Sequence, residues 1–201
     1  MVPTREWSPP GADERDLIGR SQAGDVEAFN LLVERYQNRV YALCFRMLGD
    51  RDAADDATQE VFLSAFRGLR GYHGGSFSAW LLRIAKNECY DQLRARRHQS
   101  HRVLDPGAGA ADGALLQVQD PGEAPDDRLV RAELAQELQR RLGGLEADQR
   151  LVVILSDIQG YHYDEIVAAT GWPLGTVKSR LSRGRAQLRA VLQAEGGRLA
   201  W

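Results

Sequence analysis

The sequence predicts an all-α fold made of two small helical domains joined by a flexible linker. Apolar residues recur every three or four positions between residues 25 and 97, which is the spacing of amphipathic helices. The pattern stops in residues 98–127, a stretch rich in Gly, Pro, Ala and Asp, and it resumes at Leu129. Because a structureless run of that length is uncommon inside a compact domain, it indicates a linker.

We therefore divide the chain into a first domain at residues 24–98, a linker at 99–127 and a second domain at 128–193. The remaining residues, 1–23 and 194–201, are expected to form flexible tails. The N-terminal stretch lacks the apolar segment of a signal peptide, and no apolar run approaches membrane-spanning length. These features predict a cytoplasmic protein without direct membrane insertion.

The charged residues are segregated, although the net charge of the 201-residue chain is only −2. Cations concentrate in residues 83–102 and 178–189, whereas residues 50–60 and 105–127 are acidic. Two separate basic faces favour two separate contacts with DNA.

Few residues suggest a metal site or a disulfide. Cys44 and Cys89 are the only cysteines, and we expect both to be buried free thiols. His98 and His101 have the spacing of metal ligands, but no second ligand pair accompanies them. The sequence therefore predicts no metal and no cofactor.

The second helix of the first domain, residues 50–69, begins with a dense cluster of acidic residues. Negative charge in the first turns of a helix interacts favourably with the helix dipole, so N-terminal capping explains the cluster. The same charges would also form a docking face for a partner, and the pattern leaves both explanations open. The residues of this candidate face are Asp52, Asp55, Asp56, Gln59 and Glu60.

A glycine-rich loop at residues 68–76 precedes a helix that becomes strongly basic toward its C-terminal end. Aromatic side chains can stack on unpaired bases while cations hold the phosphates, so this combination favours binding of single-stranded DNA. Trp80 admits two explanations, a core residue or a stacking surface. The candidate contacts are Tyr72 and His73 in the loop, and Lys86, Arg94, Arg96 and Arg97 in the helix.

The last part of the second domain predicts two short helices with a tight corner between them. The first helix, residues 164–170, ends at Gly171, a residue that accepts the left-handed conformation of a helix cap. Pro173 suits the first turn of the second helix. The apolar stripe of the second helix, which predicts the face turned to a core, contains Val177, Leu181, Gly184, Leu188 and Val191.

The opposite side of this second helix is polar and basic. A helix of that character fits the major groove of DNA, where cations hold phosphates and outward residues meet base edges. The alternative is an ordinary solvated basic helix on a small bundle. The candidate DNA contacts are Thr176, Lys178, Ser179, Arg180, Ser182, Arg183 and Arg185.

Four features of the chain occur in a familiar order. They are the segment DAADDATQEVFLSAF, the segment FSAWLLRIAKNECYDQLR, the linker, and the segment DIQGYHYDEIVAATGWPLGTVKSRLSRGRAQL. Together they resemble the extracytoplasmic-function group of sigma-70 family RNA polymerase sigma factors, over residues 24–193. The resemblance implies that the first domain, sigma region 2, binds core polymerase and melts the minus-ten promoter element. It implies that the second, sigma region 4, reads the minus-thirty-five element.

The resemblance also implies roles for single residues and partners. Asp55, Asp56, Gln59 and Glu60 match the family's surface for the beta-prime clamp helices of polymerase. Asn87 and the loop at residues 71–76 match a pocket for a flipped base of the non-template strand. Lys178, Ser179, Ser182 and Arg183 match positions that read duplex DNA. Expected partners are promoter DNA, core polymerase through its clamp helices and beta flap, and a cognate anti-sigma factor, with no catalytic site.

Two other functions remain open at this stage. A stand-alone helix-turn-helix regulator would use the same second domain to bind operator DNA without polymerase. A small enzyme would use Glu88, Asp91 and the nearby histidines as acid and base groups, although helical spacing alone does not supply a perturbed carboxylate.

Overall fold

The structure, a computed structural model, describes residues 12–100 and 125–194, and the described residues are helical throughout, apart from short turns. The all-α prediction is therefore confirmed. The first half contains α1 (Ala12–Gln22), α2 (Val26–Leu48), α3 (Arg51–Gly68) and α4 (Phe77–Ser100), with a short 3₁₀ turn at Leu69–Gly71. The second half contains α5 (Pro125–Gly143), α6 (Ala147–Val153), α7 (Tyr163–Thr170) and α8 (Leu174–Ala194), with a π-helical turn at Ile154–Ile158.

Local capping groups determine where α2 and α3 begin and end. The carboxylate of Asp25 accepts a hydrogen bond from the Ala28 amide at the start of α2. Gly49 ends the helix in the left-handed conformation, with φ of 75°. Asp50 then accepts from the Ala53 amide at 2.8 Å and starts α3 at once. The connection between α2 and α3 is therefore so short that it allows few angles between the two helix axes.

The N-terminal part of the chain differs from its prediction. Residues 1–23 were expected to form a flexible tail, but residues 12–22 form α1, which packs on α2. Leu17 and Ile18 are buried, and the buried Glu14 carboxylate accepts a hydrogen bond from the Tyr36 hydroxyl at 2.5 Å. Two apolar residues make no periodic stripe, and the Glu14 contact is tertiary, so no local pattern indicates this helix. Residues 1–11 lie outside the described residues.

The range predicted to be a linker is helical at both of its ends. α4 continues to Ser100 and α5 begins at Pro125, so helix extends into both ends of the range 99–127. Residues 101–124 lie outside the described part of the chain, as do residues 195–201 of the expected C-terminal tail.

The two halves are in direct contact. α4 packs against α7, and α2 packs against α5 and α6. Buried residues of the first half, such as Leu43 and Leu81, belong to the same hydrophobic cluster as Ile154 and Ile166 of the second half. The described residues thus form one closed arrangement of two helical regions, whereas the sequence predicted two tethered and separate ones.

The two cysteines occupy the core of the first half. Cys44 on α2 and Cys89 on α4 are both buried free thiols, as the sequence predicted. A hydrogen bond between the two thiols, together with burial, raises the pKa of Cys89 far above its ordinary value. Both side chains are therefore enclosed in the core in this arrangement.

α8 approaches α6 closely at Gly184. A Cβ atom at this position would lie 2.9 Å from Cγ2 of Val153 and 3.4 Å from the carbonyl oxygen of Gln149. The apolar stripe of α8 is confirmed at Val177 and Leu181, which are buried, but Val191 is exposed. The short helix separation at Gly184 therefore sets the position of α8 on the second half.

We predict that Gly184→Ala lowers the free energy of unfolding by about 1 kcal/mol. Overpacking typically costs roughly 1 to 3 kcal/mol, and the better helix propensity of alanine offsets about 1 kcal/mol of that cost. Urea denaturation monitored by circular dichroism measures the difference. Gly175→Ala, in open space on the same helix, is the matched control and should not destabilise. Equal stability of the two variants would contradict the close packing.

Candidate nucleic-acid interface

The α7–α8 pair forms a helix-turn-helix corner built by local interactions. The Glu165 carboxylate accepts from the His162 amide at 2.8 Å, which stabilises the start of α7. Gly171 ends α7 with φ of 74°, and its amide bonds to the carbonyl of Val167. The Pro173 carbonyl then accepts from the Thr176 and Val177 amides as α8 begins. The predicted role of Gly171 is confirmed, whereas Pro173 lies directly before α8 and not inside its first turn.

The outer face of α8 carries most of the predicted duplex contacts. Lys178, Ser179, Ser182 and Arg183 are exposed, and Thr176 is half-buried. The Ser179 hydroxyl donates to the Thr176 carbonyl at 3.0 Å. Neither Lys178 nor Arg183 forms an ion pair with any residue in the described part of the chain. The two cations and the Ser182 hydroxyl are thus exposed where they could meet an anionic surface.

Two further candidates on α8 are engaged within the protein. Arg180 pairs with Asp148 on α6 at 2.5 Å, and its guanidinium lies 3.8 Å from the ring centroid of Trp172. Arg185 makes two hydrogen bonds, of 2.9 and 2.5 Å, to the Asp157 carboxylate. Helical geometry predicts the direction of both side chains but not the carboxylates beside them. Both arginines brace α8 against its own domain in this arrangement.

The basic face of α4 is partly covered by the second half. Lys86 donates to the Thr170 carbonyl at 3.3 Å, and Arg83 donates to the Ala168 carbonyl at 2.6 Å. Burial, with a smaller effect of Arg83, lowers the pKa of the Lys86 ammonium. Both cations lie at the C-terminal end of α7, where helix carbonyls lack partners. Lys86 therefore does not face solvent freely in the closed arrangement.

The other predicted strand contacts on α4 fall into two groups. Asn87, Arg94 and Arg97 are exposed, with Arg94 pairing with Asp91 along the same helix at 3.2 Å. Arg96 instead donates to the Leu48 carbonyl at 2.9 Å, at the C-terminal end of α2. Arg96 therefore braces the first half.

Tyr72 is buried and not available for stacking on a base. Only 9% of its surface is exposed, and its ring packs against Phe77 and Trp80 at centroid distances of 5.7 and 5.3 Å. Its hydroxyl donates to the Gly75 carbonyl at 2.8 Å, so the ring closes the loop from inside. The sequence predicted a strand contact for Tyr72, whereas in this arrangement its ring packs among core side chains. Trp80 is half-buried in the same cluster, as its core explanation predicted, and His73 is exposed.

The acidic face of α3 faces solvent. Asp50 caps the helix, so capping does not account for Asp55 and Asp56 beyond the first turn. Glu60 is half-exposed, 3.5 Å from Arg67. Leu63 and Phe66 continue the same face with 41% and 44% of their surfaces exposed, an apolar extension that favours the docking explanation. The exposed polar members are Asp52, Asp55, Asp56 and Gln59.

Asp148 connects three elements at the boundary between the halves. Its carboxylate accepts from the Tyr90 hydroxyl of α4 at 2.5 Å and pairs with Arg180 of α8. Burial, strengthened by this bond, raises the pKa of Tyr90 above its ordinary range. The candidate DNA-reading helix is thus linked to the candidate strand-binding helix through one carboxylate. Sequence reasoning missed Tyr90 and Asp148, since neither belongs to a pattern.

Both carboxylates of the enzyme alternative are engaged along α4, and His101 lies outside the described residues. Glu88 accepts from Gln92 one turn along α4, and Asp91 pairs with Arg94. Within the described ranges no group of three or more His, Cys, Asp and Glu side chains could hold a metal ion. In residues 12–100 and 125–194 no helix combines the length and the apolar character needed to traverse a bilayer.

Comparison with protein families gives two matches in this order along the chain. The family Sigma-70 region 2 matches residues 32–99, and the family Sigma-70, region 4 matches residues 135–188. An all-α chain with both regions is a transcription initiation factor of the sigma-70 class.

Individual relatives narrow the assignment. The chain is 35% identical to the ECF RNA polymerase sigma factor SigE of Mycolicibacterium smegmatis, over 93% of this chain and 71% of the relative. The chain belongs to the extracytoplasmic-function family of RNA polymerase sigma factors. This finding does not favour the alternative of a stand-alone regulator.

Two solved structures share the fold across both halves. One is CnrH in complex with the cytosolic domain of CnrY, with a TM-score of 0.67, 28% identity, and coverage of 92% of this chain and 99% of that chain. The other is the sigma factor RpoE of Bartonella quintana with the anti-sigma factor NepR, with a TM-score of 0.65, 25% identity, and coverage of 82% and 96%.

We predict that Asp148→Ala loosens the contact between the halves. The substitution removes the acceptor of Tyr90 and the partner of Arg180, and each hydrogen bond to a charged group contributes roughly 1.5 to 3 kcal/mol. The expected result is a larger radius of gyration in small-angle X-ray scattering and faster amide exchange in α7. Asp91→Ala, which breaks an ion pair within α4, should change neither quantity. An unaltered radius of gyration in folded Asp148→Ala would contradict this role.

Proposed function

We propose that this sigma factor directs polymerase to its promoters by dividing the reading of DNA between its two helical regions. The single observation that carries the proposal is the outer face of α8, where Lys178 and Arg183 stand exposed beside two serine hydroxyls without an acidic partner among the described residues. The stand-alone regulator has no comparable support, because it leaves region 2 unexplained.

The duplex element, minus thirty-five, is read by α8 in the major groove. Lys178 and Arg183 provide charge for phosphates or guanine edges, and Ser179 and Ser182 provide short hydrogen-bonding groups. Thr176, at the N-terminal end of α8, lies where such helices approach base edges. We assign Arg180 and Arg185 to holding the helix on its domain, because each is paired with a carboxylate of that domain.

The opened minus-ten element is bound by α4 and the loop before it. Asn87, Arg94 and Arg97 are exposed on α4, and His73 is exposed at the tip of the loop. Lys86 joins them once the second half moves away and its bond to the Thr170 carbonyl is released. Cations on the backbone and a polar pocket for a base favour the open strand over the duplex.

Core polymerase binds the acidic face of α3. The carboxylates offer charge for a basic partner, and Leu63 and Phe66 offer apolar area at the end of the same face. The beta flap is the second proposed contact, through region 4. Binding of both regions to polymerase would separate them and expose α4. The factor acts through binding energy alone and carries out no covalent chemistry.

An anti-sigma factor is the proposed regulator, and the cytoplasm the proposed compartment. The sigma factor RpoE, which shares this fold, was solved with the anti-sigma factor NepR. A binder of that kind would act here by keeping the α3 surface from polymerase and the α4 surface from DNA. An envelope or other environmental stress signal would then release the factor.

Arg183→Ala should reduce transcription from a cognate promoter by about 10-fold or more, since a good bidentate contact to a base contributes roughly 1 to 3 kcal/mol. Run-off transcription with reconstituted holoenzyme measures the change. Binding to core polymerase should persist. Arg140→Ala on α5 is the matched control, because it removes one positive charge elsewhere in region 4. Loss of core binding in Arg183→Ala would remove the proposed role.

Asp56→Arg combined with Glu60→Arg should weaken association with core polymerase by at least about 10-fold, because both substitutions place like charges against a basic partner. Titration of labelled core polymerase measures the affinity. Glu27→Arg combined with Glu34→Arg makes the same change of charge on the exposed side of α2 and should have little effect. Equal affinities for the two double variants would refute the assignment.

A further inference from the structure

Lysine is rare in this chain, and each of its lysines lies on one of the two basic helices. Of the 26 Lys and Arg residues in the sequence, only Lys86 and Lys178 are lysine. Lys86 lies on α4 and Lys178 on α8. Arginine stays protonated in proteins, whereas a lysine amine can lose its proton and act as a nucleophile. The two basic helices thus carry one candidate for acylation each.

The amine of Lys86 is held in place by its contacts at the boundary between the halves. Its Nζ donates to the Thr170 carbonyl at 3.3 Å. Arg83 lies one turn earlier on the same side of α4 and donates to the Ala168 carbonyl at 2.6 Å. Lys86 is only partly buried. A small reagent can therefore reach an amine whose position is fixed by the fold.

The surroundings of Lys86 favour the neutral form of its amine. The group that accepts from its Nζ is a carbonyl and not a carboxylate. Burial, and to a smaller extent the Arg83 guanidinium, lowers the pKa of the Lys86 ammonium, while Asp148 acts more weakly in the opposite direction. A lower pKa leaves a larger share of the amine neutral at a given pH, and only the neutral amine has a lone pair for attack. Desolvation and a neighbouring cation are two ways in which proteins activate a lysine nucleophile.

Arg83 offers a binding group for an acyl donor. Acyl phosphates, and the phosphorylated thioesters that carry acyl groups, are anions, and a guanidinium binds phosphate oxygens well. Arg83 is exposed, and its Nη2 bonds to the Ala168 carbonyl while the guanidinium has other N–H groups. The two residues are about 4.5 Å apart along the helix axis. A phosphate at Arg83 would therefore place a donor close to the Lys86 amine.

We propose that Lys86 is a site of Nε-acylation by an activated acyl group, carried either by an acyl phosphate or by an acyl thioester. The neutral amine attacks the acyl carbon, so that a C–N bond forms and the bond from that carbon to the phosphate oxygen or the thiolate sulfur breaks. Phosphate or thiolate leaves, and the nitrogen releases one proton to water. The product is an uncharged amide. This inference goes beyond the proposed function and does not depend on the binding of DNA.

Acylation changes the contact between α4 and α7. The Lys86 ammonium lies at the C-terminal end of α7, where positive charge is favourable. The amide carries no charge and adds volume at a partly buried position, so it stabilises that helix end less well. The amide hydrogens of α7 should therefore exchange faster after the reaction.

The test compares the rates at which the two lysines are acylated. The full chain is incubated near neutral pH with acetyl phosphate in one arm and acetyl-coenzyme A in the other, and mass spectrometry of its peptides follows Lys86 and Lys178 over time. Lys86 should react at least about 3-fold faster than the more exposed Lys178, because the share of neutral amine determines the rate. The arm that shows this preference identifies the class of donor.

Two controls separate the effect of the fold from that of the local sequence. In guanidinium chloride, where the chain is unfolded, the two lysines should react at similar rates. Arg83→Ala should slow the reaction at Lys86 by about 2-fold or more and leave Lys178 unchanged, because it removes the neighbouring cation. Arg94→Ala is the matched control on α4, since Arg94 pairs with Asp91 two turns away, and it should change neither rate. Circular dichroism verifies that both variants are folded.

Variants with a single lysine isolate the effect on α7. Lys178→Arg keeps the charge and leaves Lys86 as the only lysine, and Lys86→Arg does the reverse. After acetylation, hydrogen–deuterium exchange in α7 should be faster in Lys178→Arg and unchanged in Lys86→Arg.

Three results would contradict the inference, and none of them involves DNA or polymerase. Lys178 reacting as fast as Lys86 in the folded chain with both donors would overturn the site and leave the proposed function standing. A preference for Lys86 that persists in guanidinium chloride would assign it to the local sequence and overturn its structural basis. Unchanged exchange in α7 after complete acetylation of Lys86 would overturn the effect on the contact between the halves.

Discussion

The closed arrangement depends on side chains that bond to the unpaired carbonyls at helix C-termini. Arg150 of α6 donates to the Met47 carbonyl at 2.6 Å at the end of α2, beside Gln139 of α5, which donates to the Arg46 carbonyl at 3.3 Å. In the reverse direction, Arg83 and Lys86 of α4 donate to the last carbonyls of α7. The last carbonyls of a helix have no partner within it and carry partial negative charge, so cations stabilise them. Each half thus supplies hydrogen-bond donors to the C-terminal end of a helix in the other half.

This polar contact explains how one chain can be both closed and active. The shared apolar cluster favours association of the halves, but many of the specific bonds across the boundary are hydrogen bonds that water, polymerase or DNA can replace. Interfaces of that character between domains permit relative motion. Lys86 illustrates the exchange, because its ammonium completes α7 in the closed arrangement and, in the proposed function, would face a DNA strand in the open one. A ligand shifts such an equilibrium only by its preference for one state, and a strand that bound Lys86 would have that preference.

Much of the fold and part of the site could be predicted from the sequence. α2, α4 and α8 are long amphipathic helices, and their periodicity is local information. The corner at Gly171 is equally local, since one glycine with positive φ ends α7. α1 could not be predicted, because two apolar residues make no stripe and its burial of Glu14 requires Tyr36 from another helix. The ion pairs of Arg180 and Arg185 could not be predicted either. Periodicity gives the direction of a side chain but not the carboxylate beside it.

The helix-end contacts have a genetic consequence. All the acceptors at the ends of α2 and α7 are main-chain oxygens, which no amino-acid substitution removes while the helices persist. Only the donors can be lost by mutation, and among the described residues those that reach across from the other half are few: Arg83, Lys86, Gln139 and Arg150. Selection can therefore tune how readily the halves part by changing a handful of codons on one side of each bond. The residues that contribute the acceptor carbonyls can be substituted without loss of these bonds, as long as the helices still pack.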